Sequence, residues 1–130
     1  MTIAVDFDGT IVEDAYPRIG KPQTFAFETL KALHQERHRL ILWTCRQGKS
    51  LEEAVEFCRE HGVEFYAVNS NYPGEVRQPT DTPKIVADIY VDDRIIGGFP
   101  GWSTIWKTLK PDAELPEEER PKGLLQRIFS

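Results

Sequence analysis

Four short apolar runs, each giving way to polar or acidic side chains, set the rhythm of the chain. Residues 2–5 lead into Asp6 and a Gly-containing loop, residues 40–43 into Thr44-Cys45-Arg46, residues 65–68 into Asn69, and residues 89–91 into Asp92-Asp93. Continuous apolar runs, rather than strict alternation, point to strands buried on both faces. Helical spacing appears between them. Ala26, Leu30 and Leu33 recur at that spacing after Pro22, a residue suited to a first turn, and predict one helix. Ser50 and Glu53 read as a capping box for a second, with Leu51, Ala54, Val55 and Cys58 as its apolar stripe and Gly62 as its stop.

This order predicts an α/β fold, a Rossmann-like parallel sheet with helices on both faces. In such sheets ligands bind beyond the C-terminal ends of the strands. Asp6, Asp8, Thr44, Asp92 and Asp93 are all expected there. Residues 69–83 read as an exposed polar loop with Pro73, Gly74 and Pro79. Thr82 and Pro83 then suggest the cap and first residue of a short helical turn carrying Lys84. After Leu109 the composition shifts to Pro, Glu and Ala, before Leu124, Leu125, Ile128 and Phe129 form a weakly amphipathic close. We therefore expect a domain over residues 1–110 and a tail over 111–130, the tail a docked helix or a partner contact.

Composition narrows the function. A chain of 130 residues with 40% hydrophobic content suits a single globular domain. No apolar stretch approaches the roughly 20 residues of a membrane span, and no signal-peptide pattern opens the chain. A net charge of −5 argues against a broad nucleic-acid-binding face, which needs clustered Lys and Arg. Two cysteines, Cys45 and Cys58, are too few for a disulfide framework and lack Cys-x-x-Cys spacing. A reducing cytoplasm is the expected compartment.

The chemistry lies in the acidic strand ends. On a turn opened by Gly9, the carboxylates of Asp6 and Asp8 can approach one cation. Magnesium prefers near-octahedral oxygen ligands, and Asp92 is the natural partner of Asp6. Such a cluster would repel a phosphate dianion unless Mg2+ and the Lys84 ammonium offset its charge. Thr44 can donate its hydroxyl to a phosphoryl oxygen. Asp6, an anion at neutral pH by its reference value of about 3.9, can then attack phosphorus. Asp8, in a partly desolvated position near Phe7, would serve as acid and then base if its pKa were raised.

These residues closely resemble the haloacid dehalogenase superfamily, whose phosphatases carry four short motifs in this order. Asp6-Phe7-Asp8-Gly9-Thr10 looks like the first, Thr44 the second, Lys84 the third and Asp92-Asp93 the fourth. The resemblance covers about residues 2–94. It implies an Asp6 nucleophile, an Asp8 acid/base, and Thr44 and Lys84 as phosphoryl binders. It also implies metal ligation by Asp6, Asp92 and the Asp8 carbonyl, with Asp93 beside them as ligand or hydrogen-bond support. The superfamily's cap domain has no room in either usual interval, so the chain is similar to the capless branch and its site should be open.

The expected function is hydrolysis of a phosphate monoester through an aspartyl phosphate. The alternative is a non-catalytic module of the same fold that binds Mg2+ and phosphate and acts through partners. Arg46, two residues past Thr44, is a candidate substrate contact or a surface ion pair, and Arg94 is a weaker candidate. Cys45 reads as a small buried hydrophobe, His34, His38 and His61 as solvated, and Trp43, Trp102 and Trp106 as packing residues. An open site and an apolar tail are compatible with a homo-oligomer.

Overall fold

The computed structural model describes residues 1–116. The apolar stretch expected at 124–129 lies outside them. Along the chain come β1 (Thr2–Val5), α1 (Ala26–Gln35), β2 (Arg39–Leu42), α2 (Gly48–Glu60), β3 (Ala67–Val68), β4 (Ile89–Val91) and α3 (Trp102–Leu109). The strands form one parallel sheet in the order β3-β2-β1-β4, an α/β Rossmann-like arrangement. No inserted cap stands between these elements among the described residues. None of the described helices is long and apolar enough to cross a membrane.

The layers differ from the expectation of helices on both faces. Side chains alternate along a strand, so Ile3, Val5, Leu40 and Leu42 face one side and Ala4 and Ile41 the other. The first set packs with buried residues of all three helices: Leu30 and Leu33 of α1, Ala54 and Cys58 of α2, and Trp102 and Trp106 of α3. Ala4, Ile41 and Ala67 instead form a separate small cluster with Ile85, flanked by Trp43 and Ala87. A loop therefore covers the second face. The reason is local: the short helix expected at Thr82–Lys84 does not form, and the crossover from β3 to β4 stays irregular. Its backbone is held instead by side chains, with Asn71 bonding Glu75 and the Val86 amide, and Arg77 donating to the Thr82 and Pro83 carbonyls.

Three smaller expectations also shift. Helix α1 begins at Ala26, four residues past Pro22, because Pro22 bridges to Val12 in a hairpin-like loop over residues 11–23. That loop is closed by hydrogen bonds from Glu13 N to Lys21 O (2.8 Å) and Gln23 N to Ile11 O (2.8 Å). Helix α2 starts at Gly48 with Gln47 as N-cap, so Ser50 lies inside the first turn and donates its hydroxyl to the Gln47 carbonyl (2.9 Å) rather than capping. Helix α3 was not foreseen. Its buried Trp102, Ile105 and Trp106 sit at helical spacing, with the Trp102 indole donating to the Thr10 carbonyl (2.8 Å).

Gly62 does end α2. With φ +86° it turns the chain so that its own N–H reaches Arg59 O (2.9 Å) and the Val63 N–H reaches Cys58 O (2.9 Å), a Schellman arrangement that satisfies carbonyls of the last turn. A side chain in this left-handed conformation costs about 1–2 kcal/mol, and a Cβ there would also press on Lys31 at 3.2 Å. Gly62→Ala should lower the free energy of unfolding by about that amount; urea denaturation with an unchanged midpoint would contradict this account.

Candidate active site

The parallel register decides which side chains meet. Val5 of β1 sits opposite Leu42 of β2 and Val91 of β4. The ladder continues one step further, with Asp6 N donating to Val91 O (3.0 Å) and Trp43 N to Val5 O (2.8 Å). Asp6 and Asp92 thus leave adjacent strands side by side. One carboxylate oxygen from each of Asp6, Asp92 and Asp93 lies within 4.8 Å of the others.

Gly9 makes the close approach possible. Its φ is +84°, and a Cβ there would fall 2.2 Å from Asp93 Oδ2. Any side chain at position 9 would push Asp93 out of the cluster. Asp93 Oδ1 is buried with no hydrogen-bond partner among the described residues, an arrangement that costs free energy unless something else binds the atom. An orphaned carboxylate oxygen beside two further carboxylates suits a cation, and an all-oxygen donor set suits a hard divalent ion such as magnesium. Asp6, Asp92 and Asp93 are the side chains that would hold it. Asp8 is outside this triad, so the expectation that its carboxylate joins that of Asp6 on one cation does not hold: both of its oxygens are taken by Arg46.

The electrostatics correct one expectation. Without a cation, Asp6 is not an ordinary anion at neutral pH. Burial, then the neighbouring charge of Asp92, push its carboxyl from 3.8 up to about 7, with Asp93 adding to the rise and a backbone hydrogen bond from Phe7 opposing it.

Beside the triad opens a cavity of about 530 Å³, lined by Asp6, Asp8, Asp14, Tyr16, Thr44, Asp92 and both candidate arginines. Asp8 faces Arg46 rather than an apolar pocket. The Phe7 ring lies beneath this pair, its centre 5.1 Å from the Arg46 guanidinium carbon, and packs edge-on against Phe57. Arg46 Nε donates to Asp8 Oδ2 (2.7 Å) and Nη2 to Asp8 Oδ1 (2.8 Å), the bidentate geometry of a strong charge-assisted pair. Its remaining donors go to Pro17 O (3.3 Å), Ser50 O (3.2 Å) and Arg18 O (2.8 Å).

A guanidinium has five N–H donors, and all five are used. Arg46 is also only 1% exposed. It therefore has no donor left for substrate, and the expected substrate contact becomes a positioning role. Arg46 ties Asp8 to the loop over residues 11–23 and to the first turn of α2. A surface ion pair, the other expectation, is excluded by its burial.

Thr44 lies on the cavity wall. Its backbone N–H bonds Asn69 Oδ1 (2.8 Å), and its Oγ1 accepts from Arg46 N (3.2 Å), so its O–H proton can still be donated. Lys84 is not brought to the cavity. It is exposed, and its Nζ sits 4.2 Å from the centre of the Tyr90 ring, a cation–π contact. Cys45 is exposed on the cavity wall rather than buried. Cys58 is buried in α2, which pushes its thiol up to about 12. His61, expected to be solvated, stacks on Phe27 at 4.3 Å.

Tyr16 and the full role of Arg46 were not legible. Tyr16 carries no local motif, and the partners of Arg46 are up to 38 positions away in sequence.

Two outcomes test this geometry. Because the folded protein binds the Asp6 proton more tightly than the unfolded chain, the stability it contributes is complete below about pH 3.8 and is lost as pH rises through about 7. In chelator, Asp6→Asn should therefore gain on the wild type in urea midpoint as pH goes from 5 to 8; a pH-independent difference would refute the assignment. Arg46→Met should cost about 3–5 kcal/mol by leaving Asp8 uncompensated. Adding Asp8→Leu should recover part of that loss, and a double variant no more stable than Arg46→Met would argue against the pair.

Comparison with known proteins places the chain. No protein-family model matches it, and no curated protein matches it. Among solved structures it is similar to a conserved protein from Bacteroides thetaiotaomicron, with 54% sequence identity and a TM-score of 0.80 over 88% of this chain and 93% of that one. At that identity and coverage, the chain belongs to the same family as the conserved Bacteroides thetaiotaomicron protein.

Proposed function

We propose that the chain is a magnesium-dependent phosphate monoester hydrolase of the haloacid dehalogenase type, working in the cytoplasm with Asp6 as nucleophile. The observation that carries this reading is the meeting of Asp6, Asp92 and Asp93 within 4.8 Å, with an orphaned buried oxygen on Asp93, on a cavity that also holds Asp8 and Thr44. A purely structural acidic cluster would gain nothing from burying an unpartnered carboxylate oxygen.

Asp6, Asp92 and Asp93 would hold a magnesium ion, which would offset their negative charge and supply Lewis-acid stabilisation to the phosphoryl group. Asp6, relieved of uncompensated Asp92 and Asp93, is then the anion that attacks phosphorus. The new bond joins an Asp6 oxygen to phosphorus, and the ester P–O bond breaks with its electron pair going to the leaving oxygen. Thr44 donates its hydroxyl to a phosphoryl oxygen. In the second step water attacks phosphorus, phosphate departs, and the Asp6 carboxylate is restored.

Asp8 transfers protons in both steps, and Arg46 holds its carboxylate in place for that task. Fixed orientation is what a general acid or base needs. Facing a guanidinium, Asp8 is best suited to the second step, where it takes a proton from the attacking water. Protonation of the leaving oxygen matters least for an aryl phosphate, whose leaving group departs without help.

Purified protein should release phosphate from an aryl phosphate only with magnesium present, and Asp6→Asn should abolish that release. Asp8→Asn should lower turnover by about 10²- to 10⁴-fold, with the larger loss on alkyl esters. Metal-independent release, or release that survives Asp6→Asn, would overturn the reading. A protein that binds magnesium and phosphate but is inactive on a broad ester panel would favour a regulatory module instead.

A further inference from the structure

Positive charge is scarce on the cavity wall. Four aspartates line it against two arginines, with Asp93 just behind Asp92. Arg46 is wholly committed to Asp8 and three carbonyls. Lys84 rests on the Tyr90 ring and is not part of the wall. Arg94 differs on both counts. It lines the cavity, its side chain is exposed, and its guanidinium makes no hydrogen bond or ion pair among the described residues. Its backbone N–H bonds Asp92 Oδ1 at 3.1 Å, which fixes the base of the side chain beside the acidic triad.

We propose that Arg94 is the cation that clamps the non-bridging oxygens of the phosphate ester in this cavity, a role the sequence pattern alone would give to Lys84. The proposal rests on the phosphatase reading for its substrate class. Without Arg94, a phosphate dianion would face a wall that stays net negative even after a divalent cation is counted. A guanidinium also matches two phosphate oxygens at once, which an ammonium cannot do. Its exposure is consistent with a long side chain whose partner is the ligand itself, whereas Arg46 is buried among protein partners.

The test compares full-length wild type, Arg94→Ala, Arg94→Lys and Lys84→Ala under saturating magnesium. Three readouts are taken: hydrolysis of p-nitrophenyl phosphate, calorimetric binding of orthovanadate, and binding of magnesium alone. Arg94→Ala should lower kcat/KM by about 10²-fold or more and weaken orthovanadate by at least about tenfold, with magnesium affinity unchanged. Arg94→Lys should recover part of both losses. Lys84→Ala should stay close to wild type.

Wild-type-like turnover and orthovanadate binding in Arg94→Ala would overturn the assignment while leaving the hydrolase reading intact. A loss of magnesium affinity in the same variant would also overturn it, by showing a structural role. A wild type that binds orthovanadate through Arg94 yet hydrolyses no ester would keep the assignment and overturn the hydrolase reading. A wild type that does neither would overturn both.

Discussion

The parallel pairing of β1 with a neighbour on each side is the constraint from which the site follows. Because Val5 lies level with Val91, the residues that end β1 and β4 emerge together, and those residues are Asp6 and Asp92. In an antiparallel pair one of them would sit at the opposite end of the sheet. Parallel register thus places like charges side by side, and packing does the rest: Gly9 leaves room for Asp93, and burial of the strand ends keeps water from screening the repulsion. The cluster is an electrostatic cost that the hydrophobic sheet supports and that a bound cation would offset.

Arg46 resolves the same problem differently for Asp8. Where Asp6 has no protein cation bonded to it among the described residues, Asp8 receives both prongs of a buried guanidinium fork. Two carboxylates two residues apart therefore have opposite environments. Under the proposed hydrolase reading, that contrast suits Asp6 to metal and phosphorus and Asp8 to proton transfer. The remaining donors of Arg46 hold the Pro17 and Arg18 carbonyls, so the loop that carries Tyr16 to the cavity is anchored through the same side chain that positions Asp8. With no cap among the described residues, this anchored loop supplies part of the cavity lining through Asp14 and Tyr16.

The helices illustrate how local and tertiary signals divide. The Schellman end of α2 at Gly62 was readable because a helix stop depends on a few neighbouring residues and on the freedom of glycine to adopt positive φ. Its start was misread, since Ser50 can bond the Gln47 carbonyl from inside the turn as readily as it can cap. The helix at Trp102–Leu109 went unread because it is short and is held by tertiary contacts, its packing against α1 and the Trp102 indole bond to the Thr10 carbonyl. The second face of the sheet, expected to carry a helix, is small and lined by Ala4, Ile41 and Ala67, and a loop bearing Ile85 is enough to cover it.

What the sequence determined by itself was the sheet and the gathering of acidic and hydroxyl side chains at its strand ends. Apolar runs ending in aspartate or threonine encode buried parallel strands, and strand ends are where such sheets bind ligands, so Asp6, Asp8, Thr44, Asp92 and Asp93 could be named from one dimension. Only the tertiary structure decided which cations face them. Arg46, Lys84 and Arg94 look alike along the chain, each a basic residue near a strand end. Their fates depend on contacts across the sheet, which put Arg46 in a buried pair, Lys84 on Tyr90 and Arg94 on the open wall. A long, flexible basic side chain can reach several partners from one backbone position, and which partner it finds is a property of packing rather than of sequence spacing.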